Sequence, residues 1–142
     1  MSATAHELLR ERGLKVTAPR LAVLDAVDAL GGHPDAAAIA GHARERLGSV
    51  STQAIYDGLH ALEGAGLLRR IALAGHPARY ETRVGDNHHH LVCRTCGAAE
   101  DVDCAKGEAP CLHPEDDNGF VIDEAEVIYW GLCAACRPAQ AA

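Results

Sequence analysis

Cys93-Arg-Thr-Cys96 and Cys133-Ala-Ala-Cys136 are two CxxC pairs with 36 residues between them. Each CxxC turn presents two thiolates to one side, and two such turns supply the four sulfurs of a tetrahedral zinc. The alternative, two independent redox dithiols, fits less well, because neither pair follows a strand and opens a helix as a thioredoxin-type motif does. A zinc here would staple the start of the surrounding region to its end and add folding energy that a small core lacks. Cys104 and Cys111 stand outside both pairs; their spacing matches no ligand motif, and as free thiols they read as small packing residues with a redox role as the alternative.

A second donor cluster precedes the first CxxC. In an extended segment alternate residues share a face, so His88 and His90 of the run His88-His89-His90 point one way and His89 the other. The nearby carboxylates Glu81, Asp86 and Asp101 can complete a mixed nitrogen and oxygen set. Such donors suit ferrous iron or manganese better than a thiolate cage does. A third chemistry-bearing stretch, Ser51-Thr-Gln-Ala-Ile-Tyr56, opens a helix with small polar residues, as in a recognition helix that enters the major groove of DNA. An ordinary solvated face is the alternative; the cations Arg69, Arg70 and Arg79 in a following hairpin favour DNA.

The elements that position these residues follow from periodicity and caps. Ala5 to Arg12 is a short helix stopped by Gly13. Thr17 caps a second helix, with Pro19 in its first turn and Leu21, Leu24, Val27 and Leu30 at helical spacing until Gly31-Gly32, which leaves His33 in a loop. Asp35 caps a third helix to about Arg46, closed by Gly48. From Ser51, Ile55, Leu59, Leu62 and Ala65 form one apolar face, leaving Thr52, Gln53, Tyr56, Asp57 and His60 to solvent, and Gly66 breaks the helix. Leu67 to Leu73 and Arg79 to Val84 read as strands joined by a turn at Ala74 to Pro77, the order of a winged helix. Beyond Gly85, short strand candidates at Leu91–Cys93, Ala98–Asp103, Val121–Ile122 and Glu126–Trp130 alternate with acidic loops and predict a second, β-rich domain.

Composition bounds the function. The chain has 142 residues, 48% of them hydrophobic, which suffices for packed cores. No apolar run approaches the roughly 20 residues of a spanning helix, and no secretory signal opens the chain, so the expectation is a cytoplasmic protein without a membrane. Six cysteines and nine histidines then favour metal or redox chemistry over a disulfide scaffold. The net charge of −7 speaks against nucleic acid until it is divided: residues 1–80 carry +1 and residues 81–142 carry −8. The front half can face phosphate while the rear half holds cations.

Taken in order, Gly13-Leu-Lys-Val-Thr-Ala-Pro-Arg20, Gly32-His33-Pro34, Ser51 to Tyr56, Ala65-Gly66-Leu67, Arg79-Tyr80-Glu81, the HHHxxCxxCG run and the terminal CxxC resemble the ferric uptake regulator family over nearly the whole chain. Ala78 to His88, Gly107 to Cys111 and Asp123 to Cys133 look like its actinobacterial peroxide-responsive members, which repress catalase genes. The resemblance implies an α+β fold: an N-terminal winged-helix DNA-binding domain (1–81), a hinge (82–87) and a small C-terminal α/β dimerisation domain with structural zinc (88–142). It further implies a homodimer on a double-stranded DNA operator, contacted through Arg20, Ser51, Thr52, Gln53, Tyr56, Arg69 and Arg70. Cys93, Cys96, Cys133 and Cys136 match the structural Zn(II) ligands. His33, Glu81, His88, His90 and Asp101 match a regulatory site for Fe(II) or Mn(II). In peroxide-sensing relatives ferrous iron leads to oxidation of a ligand histidine, here His33 or His88, and release of DNA. Asp101 fits that branch, whereas Glu81 is typical of iron sensors, so an iron- or zinc-responsive repressor is the alternative.

The sequence also departs from the family pattern. Asp57-Gly58 replaces the usual polar or basic pair, and Gly58 should loosen its helix by roughly 0.5 to 1 kcal/mol relative to Ala. Asn87 and Ala125 stand where relatives have further ligands, and the amphipathic helix expected near 104–118 is missing. Two other classes are distinguishable by assay: an enzyme would turn over many equivalents of peroxide or disulfide, and a zinc-storage protein would show no metal-selective DNA binding.

Overall fold

The computed structural model describes residues 3–73, 75–82, 88–103, 116–122 and 127–138, with residues 88 and 103 described through their backbone. The chain divides into two compact units, Met1–Val84 and Gly85–Ala142. The hinge expected at 82–87 falls, except for Thr82, outside the described residues, as do Cys104, Cys111, Asp86, Asn87, Ala125 and residues 104–115 of the segment compared with the family's amphipathic helix.

The first unit has four helices, and each starts at a side chain that accepts from an otherwise orphaned backbone N–H. In α1 (Ala5–Glu11) Thr4 and Glu7 form a capping box. Thr17 caps α2 (Ala18–Leu30), Asp35 caps α3 (Ala36–Leu47) and Ser51 caps α4 (Thr52–Gly64), accepting from Arg20, Ala38 and Ala54 N–H at 3.3, 2.9 and 3.0 Å. Each such cap contributes about 1 kcal/mol. Leu9, Val23, Ala26, Ile39, Ala43, Ile55, Leu59 and Leu62 form the core that the helices share. Gly58 is buried in it, and a Cβ built there would lie 3.3 Å from Val23 Cγ2. The glycine therefore sets how closely α2 and α4 approach, a role that the sequence reading, which saw only a loosened helix, did not assign.

A two-stranded hairpin follows, β1 (Arg69–Ile71) antiparallel to β2 (Arg79–Glu81), with Arg69 opposite Glu81, Arg70 opposite Tyr80 and Ile71 opposite Arg79. Helices followed by this hairpin give the winged-helix order. The strands are shorter than the alternation predicted, because the ladder pairs only three residues on each side.

Among the described residues the second unit holds a three-stranded sheet of order β4-β3-β5, built from β3 (His88–Cys93), β4 (Ala99–Asp103) and β5 (Ile128–Gly131). β3 runs antiparallel to β4 and parallel to β5. The strand expected at Val121–Ile122 does not form: both residues are exposed outside any strand, beside a turn in which Phe120 N–H donates to the Asp117 carbonyl at 2.9 Å. Two apolar residues with no neighbouring strand have no ladder to complete. Among the described residues no helix is long and apolar enough to cross a membrane.

Candidate metal centres and nucleic-acid face

The parallel pairing of β3 with β5 decides the geometry of the cysteines. In that register Cys93 lies beside Gly131, so both strands end at the same edge and both CxxC turns leave it together. The first turn is closed by Gly97 N–H on the Cys93 carbonyl (2.9 Å), with Gly97 at φ 74°, and is tied to β5 by Arg94 N–H on the Gly131 carbonyl (2.8 Å). The second is closed by Cys136 and Arg137 N–H on the Cys133 carbonyl at 3.0 and 2.8 Å. The four Sγ atoms lie within 4.8 Å of one another, with Cys96 and Cys133 Sγ 3.7 Å apart. A tetrahedron with Zn–S of about 2.3 Å has an edge of about 3.8 Å, whereas a disulfide needs about 2.05 Å; the four sulfurs fit a metal and not a crosslink.

The electrostatics agree. Backbone N–H groups of Cys96, Cys133 and Thr95 stabilise the Cys93 thiolate and lower its pKa from 9.0 to about 6. Cys136, crowded by the sulfurs of Cys133, Cys96 and Cys93, is pushed up to about 12. Cys136 thus resists ionisation beside its sulfur neighbours, a crowding that a shared cation would relieve.

Imidazole and carboxylate pairs occur in both units. In the first, His33 Nε2 is 3.2 Å from Glu81 Oε2, and both residues are buried. The loop of His33 is held to β2: Arg79 Nη1 donates to the His33 carbonyl at 3.1 Å and Tyr80 N–H to the Pro34 carbonyl at 2.9 Å. In the second unit His90 Nε2 is 3.3 Å from Asp101 Oδ1, and the two residues face each other across the β3–β4 ladder. His88 sits two residues earlier on β3, opposite Asp103. Nitrogen and oxygen donors of this kind fit a harder divalent cation than zinc held by thiolates.

The outward face of α4 carries Thr52, Gln53, Tyr56, Asp57 and His60, all exposed as the periodicity predicts, Tyr56 by 51%. With Arg70 of β1 it walls a cleft of about 710 Å³. Several polar groups on this face already have partners within the chain. Ser51 Oγ is occupied as the helix cap, and Thr52 Oγ1 accepts from Arg44 Nη2 at 3.1 Å. Gln53 Nε2 donates to Asp57 Oδ1 at 2.9 Å.

The model of the ferric uptake regulator family matches residues 11–129. The chain belongs to this family. It is similar to the transcriptional regulator FurA of Mycobacterium tuberculosis, 62% identical over 130 residues that cover 92% of this chain and 88% of the relative. Ferric uptake regulation protein 1 of Mycolicibacterium fortuitum is 58% identical over 132 residues, covering 92% and 80%. Among solved structures, the ferric uptake regulator of Pseudomonas aeruginosa with manganese aligns with a TM-score of 0.68 at 25% identity, covering 93% of this chain and 99% of that one. As a member of the family the chain is a metal-responsive transcriptional regulator and not an enzyme.

Within this family member the residues singled out from sequence fall into distinct settings. Arg70 is exposed on the cleft wall, but its neighbour Arg69 points to the opposite face of the hairpin, half-buried and across from Glu81. Arg20 is half-buried, its Nη1 donating to the Lys15 carbonyl at 2.8 Å. Arg79, counted with the cations of the hairpin, spends a guanidinium N–H on the His33 loop instead. Sequence reasoning missed that positioning role, and also the role of His89, whose ring is buried and accepts through Nδ1 from Val127 N–H at 3.2 Å. The alternation of β3 separates His89 from His88 and His90 but gives no sign that its ring holds the chain entering β5.

Proposed function

We propose that this chain is a metal-dependent repressor that binds a double-stranded DNA operator as a homodimer and senses peroxide. Zn(II) held by Cys93, Cys96, Cys133 and Cys136 is structural. Fe(II) or Mn(II) held by His33, Glu81, His88, His90 and Asp101 is regulatory. Residues 1–81 bind DNA and residues 88–142 dimerise, joined by a hinge at 82–87. The observation that carries the reading is the segregation of donors: four sulfurs gathered at one sheet edge, and imidazole and carboxylate pairs elsewhere, in a chain whose relatives are transcriptional regulators. Manganese in the related Pseudomonas structure supports a hard-donor ion.

DNA contact falls to the exposed face of α4, with Ser51 setting its first turn, Thr52, Gln53 and Tyr56 towards bases, and Arg70 on the cleft wall placed for phosphate; the half-buried Arg20 and Arg69 complete the set of cations assigned to DNA. Support for self-association comes from Leu91 and Tyr129, register partners on adjacent strands, which remain 41% and 37% exposed, with Leu132 at 47%. Fe(II) at the regulatory site would supply redox chemistry with peroxide; His33 or His88 would be the imidazole oxidised, one peroxide oxygen ending on the ring and the other leaving as water, and the weakened ligand would release the DNA-binding shape.

The test uses a duplex selected from a random pool by the metal-loaded protein. Binding is expected with Fe(II) or Mn(II), and brief peroxide should abolish it with iron and spare it with manganese, with one added oxygen on His33 or His88 by mass spectrometry. Equal sensitivity with both metals overturns histidine oxidation in favour of the thiols. Iron-dependent binding that survives peroxide would instead favour an iron-responsive repressor of metal homeostasis genes, the reading that Glu81 and the ferric uptake names of relatives support.

A further inference from the structure

We propose that Asp57 is a specificity-determining residue, which locks the Gln53 amide in the one orientation that reads adenine in the major groove. The inference rests on the reading of α4 as the DNA-contacting helix. Its basis is the hydrogen bond from Gln53 Nε2 to Asp57 Oδ1, 2.9 Å long, between two exposed side chains one helical turn apart. A side-chain amide can ordinarily flip, exchanging its oxygen and nitrogen. A carboxylate accepts and does not donate, so this partner selects the flip that turns the NH2 towards residue 57. Gln53 Oε1 and the second N–H are left to face outward, an acceptor beside a donor. Adenine presents the complement, the N6 donor beside the N7 acceptor, whereas guanine presents two acceptors and would meet Oε1 with O6.

The Gln53 amide is the planar group of the first turn that sets an acceptor and a donor side by side. The Ser51 and Thr52 hydroxyls each accept one hydrogen bond, from Ala54 N–H and from Arg44, and keep a single O–H to donate. From Thr52 to Gly64 the helix has no Lys or Arg, so the common bidentate reading of guanine by a cation is not available from the helix itself. The negative charge of Asp57 is repelled by phosphate, and in the cleft it shares with Gln53, Tyr56 and Arg70 it suits a position over base edges better than one over the backbone.

The test selects duplexes from a random pool with the full-length, metal-loaded wild type, Asp57→Asn and Gln53→Ala. Asparagine keeps the size and can still pair with Gln53, but it can donate as well as accept, so both flips become possible. The wild type should enrich adenine at one position of each half-site, with at least about a fivefold preference over guanine. Asp57→Asn should level that preference at the same position as Gln53→Ala, with the rest of the consensus and the helical circular dichroism kept. A consensus unchanged by Asp57→Asn, or changed at a position other than that of Gln53→Ala, overturns the coupling while leaving DNA reading by α4 intact. Failure of the wild type to enrich any sequence overturns the DNA reading and the inference with it.

Discussion

Gly58→Ala sets two measurable effects against each other. Alanine is the better helix former, which in an unconstrained helix would stabilise by about 0.5 to 1 kcal/mol. The added methyl, however, would sit 3.3 Å from Val23 Cγ2, and Val23 is fully buried. Valine in a helix has essentially one χ1 rotamer, so it cannot swing aside, and forcing a methyl into a packed helix crossing costs about 1 to 3 kcal/mol. Overpacking wins, and Gly58→Ala should destabilise the first unit by about 1 kcal/mol in urea denaturation followed by helical circular dichroism. In a Val23→Ala background the obstructing methyls are gone; the same substitution should then stabilise by about 0.5 to 1 kcal/mol, so the cycle yields a coupling of about 1 to 3 kcal/mol. Stabilisation by Gly58→Ala in the wild-type background would refute the argument and return Gly58 to a residue that merely loosens its helix.

Cys133→Ser removes one of four sulfurs from a centre whose metal free energy, about 10 to 16 kcal/mol in small zinc domains, rivals the whole stability of a domain; the variant should lose its equivalent of zinc and elute as a monomer, and a zinc-free dimer would contradict the structural role. Arg79→Ala frees the loop of His33 and should weaken Mn(II) binding by about 10- to 100-fold, as loss of a supporting partner does, with zinc content unchanged; unaltered Mn(II) affinity would show that the Arg79 bond does not position the ligand. In the zinc-free protein, Cys93, lowered to about 6 from 9.0, makes the folded state bind fewer protons than the unfolded chain between those pH values, so stability rises with pH across that window. Cys136, raised to about 12 from 9.0, makes the folded state bind more protons above pH 9, so stability falls again. A urea midpoint that declines from pH 6 to 9 would contradict the assignment.

The helices were legible because their signals are local. Thr17, Asp35 and Ser51 are side chains that cap within three residues, and the apolar face of α4 repeats at helical spacing. The gathering of the four cysteines was legible for a different reason, since CxxC encodes its own turn. What could not be read was which strand lies beside which: the parallel neighbour of β3 is β5, some 35 residues away, and that choice alone brings the two turns to one edge. The His33 and Glu81 pair came only from family resemblance, because 48 positions separate the residues and no periodicity links them. Arg79 was misjudged because a count of charges cannot see burial, and Gly58 because a propensity cannot see the helix that crosses it. Val121–Ile122 has no partner strand among the described residues, which a two-residue apolar pair does not announce.

The two strands that carry candidate ligands also carry the residues by which a metal could be felt elsewhere in each unit. On β2 successive residues alternate in face. Glu81 lies with His33 on one side, while Tyr80 turns to the cleft that α4 and Arg70 wall, and Arg79 grips the His33 loop from the same three-residue strand. Glu81 and the cleft side of the hairpin are thus separated by the backbone of one residue, Tyr80. On β3, His90 faces Asp101 three residues before Cys93 enters the zinc turn, and the Cys93 N–H bond to the Ala98 carbonyl, 2.9 Å, continues the same ladder. Cys93 and the His90–Asp101 pair thus share one register. Loosening the sulfur cluster should lower Mn(II) affinity through β3 before the sheet itself comes apart, and an unchanged Mn(II) affinity would show that the two donor sets act independently.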